Sequence, residues 1–144
     1  MNRPELSDDL LGTLHHDEEL DWYFGGWAGG PVAVEFSLNL DEAGRVEPAL
    51  ARARGVLAGI AEYADAAQEY AVAELLDAAN EWLDEGDEPV TPALFKGRMT
   101  LQAVVFDPDG DVIFYHHDGG LFSGHAIQVG MDAEDKFNHA DIPG

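Results

Sequence analysis

Hydrophobic residues occupy every second position over residues 32–40. This period of two is typical of a half-buried β-strand. Residues 10–15 and the aromatic-rich residues 20–27 are predicted to form two further strands before it. The glycines and Pro31 in residues 25–31 predict a hairpin turn, because glycine permits positive φ and proline cannot donate to a strand ladder. The first third of the chain therefore predicts three strands.

The hydrophobic period changes to that of a helix after residue 47. Pro48 suits a first helical position, and apolar residues follow at helical spacing as far as Ala64. A second helix is predicted over residues 66–83, ended by Gly86. Its spacing places one set of side chains toward the sheet: Leu75, Leu76, Ala79, Trp82 and Leu83. Thr91 and Pro92 then predict the cap and first residue of a short helical turn through Phe95.

The last third returns to strand patterns. Residues 100–106 and 111–117 flank Asp107-Pro108-Asp109-Gly110, a sequence typical of a hairpin turn. Residues 121–129 predict one more strand. The sequence thus predicts an α+β fold, with a largely antiparallel sheet from two three-stranded halves that flank a central two-helix block.

The composition is that of a folded protein with an extreme negative charge. The 144 residues are 46% hydrophobic, which predicts one domain over residues 1–144. Asp and Glu number 29 against 7 Lys and Arg, a formal net charge of −22. This charge opposes contact with phosphates, so we expect no direct nucleic acid binding and no membrane association. The absence of Cys excludes disulfides and, with no readable export signal, favours a cytoplasmic location.

The excess of acidic over basic residues is largest in and around the predicted second helix. The 41 residues between Arg54 and Lys96 contain ten Asp and Glu and no Lys or Arg. Glu74, Asp77, Glu81 and Asp84 fall on the face opposite the apolar one and are predicted to be exposed. A surface of this kind attracts a basic protein partner through its long-range field. The alternative is adaptation to high salt, in which carboxylates replace lysines throughout a protein.

Other candidate residues have weaker patterns. The aromatic residues Trp22, Tyr23, Phe24 and Trp27 suggest either core and hairpin packing or a ligand platform. His15-His16 and His116-His117 are adjacent pairs, and since neighbouring strand residues point to opposite faces, only one member of each pair can serve a given site. The spacing of Asp107, Asp109 and Asp111 does not fit a calcium-binding loop, because Gly110 comes two positions too early. We therefore expect no metal and no cofactor.

Several stretches together resemble the bacterial domain of unknown function 2262 family. They are Leu11-Gly12-Thr13-Leu14, Leu20-Asp21-Trp22-Tyr23, Ala78-Ala79-Asn80-Glu81-Trp82, Phe95 after Thr91, and the stretch from Asp118 to His125 with sequence DGGLFSGH. The resemblance spans nearly the whole chain. It implies one complete domain and no particular activity, and it makes His125 the histidine of interest.

Three functional hypotheses follow. The leading one is a noncatalytic acidic protein-binding module, of the kind that neutralises a basic toxin or effector. The second is a small metal-dependent or hydrolytic enzyme that uses His125 and Asp118. The third is a nucleic-acid mimic, whose carboxylates follow the phosphate spacing of a duplex. The oligomeric state has no signal in the sequence.

Overall fold

The computed structural model describes residues 3–28 and 33–142, which form eight strands and three helices. The strands are β1 (Leu6–Asp8), β2 (Gly12–Asp17), β3 (Trp22–Trp27), β4 (Val34–Asn39), β5 (Thr100–Phe106), β6 (Val112–His117), β7 (Ile127–Met131) and β8 (Phe137–Asp141). The helices are α1 (Glu47–Ala58), α2 (Ile60–Glu81) and α3 (Pro92–Arg98). The α+β class is confirmed.

The strands form one sheet in chain order, and each neighbouring pair is antiparallel except β4 and β5. The helical block lies between β4 and β5 in the chain and carries the chain back to the end of the sheet at which β4 begins. Strand β5 therefore runs in the same direction as β4. The sheet has four strands on each side of that block, so the expectation of two three-stranded halves is wrong. The short β1 and the polar β8 account for the difference.

The helices pack against one face of the sheet. Alternate residues of the central strands are buried on that face, as at Val34, Phe36 and Leu38 of β4. Helix α1 contacts β4 and β5, whereas α2 contacts β7 and β8. The opposite face, which we call the open face, carries residues that are partly or fully exposed, including Phe24, Val105 and Ile113.

Two predicted boundaries differ from the structure because of glycine. The helix predicted to continue to Ala64 ends at Ala58, since Gly59 leaves helical geometry at φ −116° and ψ 30°. Helix α2 then begins at Ile60, earlier than predicted. The break was expected between residues 64 and 66, but no residue there interrupts a helix. The strand predicted over residues 121–129 is shortened to β7, because Gly119, Gly120, Ser123 and Gly124 all have positive φ.

The two predicted hairpins have different outcomes. The turn at Asp107–Gly110 is confirmed, since β5 and β6 pair antiparallel and Gly110 donates its N–H to the Asp107 carbonyl at 3.1 Å. Trp27 also pairs antiparallel with Val34, as a hairpin requires. Of the residues predicted to form the turn, Gly25, Gly26 and Trp27 belong instead to β3, while residues 29–31 lie outside the described residues.

Candidate functional site

The four candidate carboxylates of the second helix lie on the protein surface. Glu74, Asp77, Glu81 and Asp84, which we call the α2 acidic face, are all exposed, as predicted. Within residues 3–28 and 33–142, none of the four has an ion pair. Lys96, a nearby base in the sequence, is instead bound to Asp65 and Glu69 at 2.7 and 2.6 Å.

The arrangement of this face opposes helix stability. Glu74, Asp77 and Glu81 follow one another in α2 at spacings of three and four residues, where like charges repel. Asp84, predicted on the same helical face, lies three residues beyond the end of α2. Asp77 and Glu81 also lie near the C-terminal end of α2, where the helix dipole favours cations, and the last turn contains no basic residue. Packing of α2 therefore holds these carboxylates in positions that helix formation alone disfavours.

Trp82 lies beside the α2 acidic face and is 47% exposed. Its predicted orientation toward the sheet is wrong, because Trp82 follows the last residue of α2 and packs on the loop between β6 and β7 with much of its side chain at the surface. The indole packs edge-on against Phe122 and His125, with ring centroids 5.4 and 5.6 Å away. An exposed aromatic ring thus borders the unpaired carboxylates.

Asp118 organises the loop between β6 and β7. Its side chain is buried and accepts N–H bonds from Gly120, Phe122 and Gly124 at 2.8 to 3.1 Å. Burial opposes ionisation, but these three bonds together with the neighbouring His117 outweigh it and lower the pKa of Asp118 below its ordinary value. The carboxylate therefore has a structural role in this loop.

His125 is held in place by the same loop. Its Nδ1 lies 2.7 Å from the carbonyl oxygen of Phe122, so that ring nitrogen donates and Nε2 remains the available atom. No hydrogen bond joins His125 to Asp118 in the part of the chain that the structure describes. Asp118 and His125, the pair named in the enzyme hypothesis, are therefore not bonded to each other. Asp118 instead binds backbone N–H groups of the loop, and His125 binds the Phe122 carbonyl.

Trp22 and Tyr23 point to opposite faces of the sheet and do not form a joint platform. The Tyr23 side chain is buried, and its hydroxyl donates to the carbonyl of Pro4 at 3.0 Å. Trp22 lies on the open face, where it lines a pocket of about 410 Å³ with Asp17, Phe24 and Glu35. Asp17 and Glu35 were not predicted, whereas Phe24 belonged with Trp22 to the predicted aromatic group, and the alternation within β3 places these two rings on one face.

The histidine pairs also divide between faces, as predicted. The ring of His16 is covered and its Nε2 donates to Asp21 at 2.8 Å, whereas His15 is exposed. His117 is exposed, and its Nδ1 accepts the N–H of Gly119. Among the described residues, no histidine belongs to a group of three metal-ligand side chains.

His116 differs from the other histidines because it is fully buried. Neither ring nitrogen has a hydrogen-bond partner in the described structure. Burial lowers the pKa of His116 from 6.5 to about 4, and the backbone of Ile127 and Phe114 offsets this only in part. The ring is therefore neutral in the folded protein near pH 7.

Within the described residues, one group of three side chains has ligand atoms close enough together to hold a cation. Those of Asp107, Asp109 and Asp111 lie within 4.8 Å of one another in the β5–β6 turn. Burial, followed by the charges of Asp109, Asp107 and Asp132, raises the pKa of Asp111. Asp107 also accepts a bond from the Asn39 amide at 2.6 Å, so one carboxylate of the group is already used.

Comparisons with known proteins identify a family without an activity. No curated protein and no solved structure matches the chain. Among the described residues, no helix is both long and apolar enough to span a membrane. A family model described as an uncharacterised protein conserved in bacteria matches residues 8–142. Since that match covers nearly the whole sequence, the chain belongs to the DUF2262 family of uncharacterised bacterial proteins.

Proposed function

We propose that this chain is a cytoplasmic, single-domain, noncatalytic module that binds a basic protein, of the kind that neutralises a toxin or effector. The observation that carries the proposal is the α2 acidic face, whose four exposed carboxylates have no ion pair in the described structure. A basic partner supplies the counter-charges that the chain does not.

The unfavourable placement of these acids supports a role outside folding. Each like-charged pair along a helix costs about 0.2–0.5 kcal/mol, and carboxylates near a helix C-terminus add to that cost. Folding alone favours lysine or glutamine at these positions. Binding to a basic surface turns the same charges into favourable ones.

Trp82 supplies the apolar contact that charge alone lacks. Energetically dominant interface residues are often tryptophans, and the charges around them mainly raise the association rate. Trp82 is exposed next to Glu81 and is braced from behind by Phe122 and His125. We therefore place Trp82 at the centre of the interface and the carboxylates at its rim.

The test compares two variants with the same net charge. One neutralises the α2 acidic face by Glu74→Gln, Asp77→Asn, Glu81→Gln and Asp84→Asn. The control neutralises four exposed acids elsewhere: Glu19, Glu42, Glu62 and Asp141. The basic protein retained by the immobilised wild-type chain from a bacterial lysate is identified and purified, and its association and dissociation rates are measured at several salt concentrations.

Neutralising the α2 acidic face should slow association at least tenfold and flatten its salt dependence, whereas the control should retain most of the rate. Trp82→Ala should instead mainly speed dissociation. Equal rates for both charge variants would remove the α2 acidic face from the interface. High-salt adaptation would then be the better explanation of the charge.

A further inference from the structure

The pocket on the open face has the chemistry of a site for an organic cation. It lies on the other side of the sheet from the helices and thus from the α2 acidic face. We propose that this pocket binds the guanidinium group of an arginine side chain from another protein, between the rings of Trp22 and Phe24 and the carboxylates of Asp17 and Glu35. The inference does not depend on the α2 acidic face.

Strand register brings the four side chains together. Trp22 and Phe24 are two residues apart in β3 and therefore lie on the same face. Asp17 of β2 is directly opposite Trp22, and Glu35 of β4 is directly opposite Gly26. The aromatic pair thus has a carboxylate on the strand at each side.

Both carboxylates have capacity for a ligand. Glu35 is exposed and has no hydrogen bond or ion pair in the described residues. Asp17 uses Oδ1 to accept the N–H groups of Glu19 and Leu20, at 2.9 and 3.0 Å, which fixes the carboxylate and leaves Oδ2 free. No Lys or Arg lines the pocket. His15 also lines it, but its ring packs against Phe24 at a centroid distance of 5.6 Å and its Nδ1 lies 3.7 Å from a Glu5 carboxylate oxygen, so neither Asp17 nor Glu35 is paired with it.

Gly26 keeps the pocket open. A Cβ atom at Gly26 would meet no heavy atom within 4 Å, whereas one at the neighbouring Gly25 would lie 2.8 Å from the Phe36 ring. Gly25 therefore faces the core, and Gly26 leaves empty space beside Glu35. The volume of about 410 Å³ accommodates an arginine side chain with room for water.

Guanidinium fits this arrangement better than other groups. Its flat surface stacks on aromatic rings, and its edge donates paired hydrogen bonds to a carboxylate. An anion is repelled by Asp17 and Glu35, and a purely apolar group leaves both unpaired. An ammonium group lacks the flat surface that Trp22 and Phe24 offer.

The test uses the whole chain labelled with 5-fluorotryptophan, which gives three fluorine resonances because the chain has three Trp. The Trp22 signal is assigned by Trp22→Phe. N-acetyl-arginine amide is titrated, and N-acetyl-citrulline amide, which is nearly the same shape but uncharged, is the control at matched ionic strength. The Trp22 signal should shift saturably with arginine, with a Kd on the order of 1 mM, and not with citrulline.

Two pocket variants and one distant variant locate the binding. Gly26→Val places a side chain in the pocket, with a Cβ that meets no heavy atom within 4 Å, and should weaken arginine binding by more than about tenfold. Glu35→Gln should weaken it by about fivefold. Glu62→Gln removes the same charge from an exposed position on the helical side, outside the α2 acidic face, and should leave the affinity unchanged. Thermal melting confirms that each variant is folded. If Gly26→Val does not fold, Glu35→Gln still tests the proposal, because Glu35 is exposed and its substitution should not disturb folding.

Three results would overturn the proposal: no saturable shift of Trp22, an equal response to citrulline, or equal losses from Glu35→Gln and Glu62→Gln. An equal affinity for the lysine analogue would overturn the guanidinium assignment. Failure here leaves the α2 acidic face untouched, because that test reads association with a protein and this one reads the Trp22 signal.

Discussion

The buried His116 should make the protein less stable as the pH falls below neutrality. The pKa of His116 is about 4 in the folded chain against an ordinary 6.5. Between these values the unfolded chain binds a proton that the folded chain does not. By linkage, the stability present above pH 6.5 is lost as the pH falls toward 4.

The size of the effect follows from the shift. Each pH unit within that window costs about 1.4 kcal/mol, so the full shift is worth about 3 kcal/mol. That is a large part of the 5 to 15 kcal/mol typical of a folded domain. At pH 5 the loss should already be about 2 kcal/mol.

The assay is urea unfolding of the wild type and His116→Leu at half-unit steps from pH 7.5 to 4.5. Leucine suits the apolar site and does not titrate, so its stability should fall less steeply over this range. The lowered pKa values of Asp8, Asp118 and Asp135 affect both proteins below about pH 4, outside the window. The raised pKa of Asp111 acts in both proteins and cancels in the difference. Parallel pH profiles would refute the reasoning, since they would mean that His116 is protonated in the folded state.

Three further predictions concern stability. Asp118→Asn should lower the free energy of unfolding by about 2 kcal/mol, because the loop loses a charged acceptor, and urea unfolding would detect it. Gly119→Ala should lower the melting temperature, because its Cβ would lie 2.5 Å from the Arg98 carbonyl oxygen at a φ of 62°, whereas Gly55→Ala in α1 meets nothing within 4 Å and should raise it. Shifts in the same direction would show that this close approach imposes no constraint. Raising salt to about 0.5 M should also raise the melting temperature by screening repulsion, and a flat or falling response would contradict this.

The sequence predicted helices and strands correctly where a single hydrophobic period, helical or alternating, continued without interruption. The exposure of Glu74, Asp77 and Glu81 follows from helical spacing inside a long helix, and the alternation of β4 follows from its period of two. Errors came at the ends of elements. Trp82 follows the last residue of α2, and it packs against Phe122 and His125 of the loop between β6 and β7 instead of the sheet.

The open-face pocket was only partly predictable. The rule that adjacent strand residues face opposite sides separates Trp22 from Tyr23, just as it separates the histidine pairs, and it groups Trp22 with Phe24. Strand pairing then adds Asp17 and Glu35, and pairing depends on registers that sequence patterns do not specify. Similarly, alternation alone does not show that His116, and not His117, faces the core.

The distribution of the few bases explains why so much negative charge remains at the surface. Arg54 binds the buried Asp8 and ties α1 to the end of β1. Arg52 donates to the carbonyls of Gly110 and Asp132 and pairs with Asp135 at 2.6 Å, which ties α1 to two turns. Lys96 ties α3 to α2. Since these cations join elements to one another, they are not available to neutralise exposed acids. Screening by salt therefore relieves part of this repulsion. Under the proposed function, a basic partner would pair with the α2 acidic face without disrupting any ion pair that the described residues form.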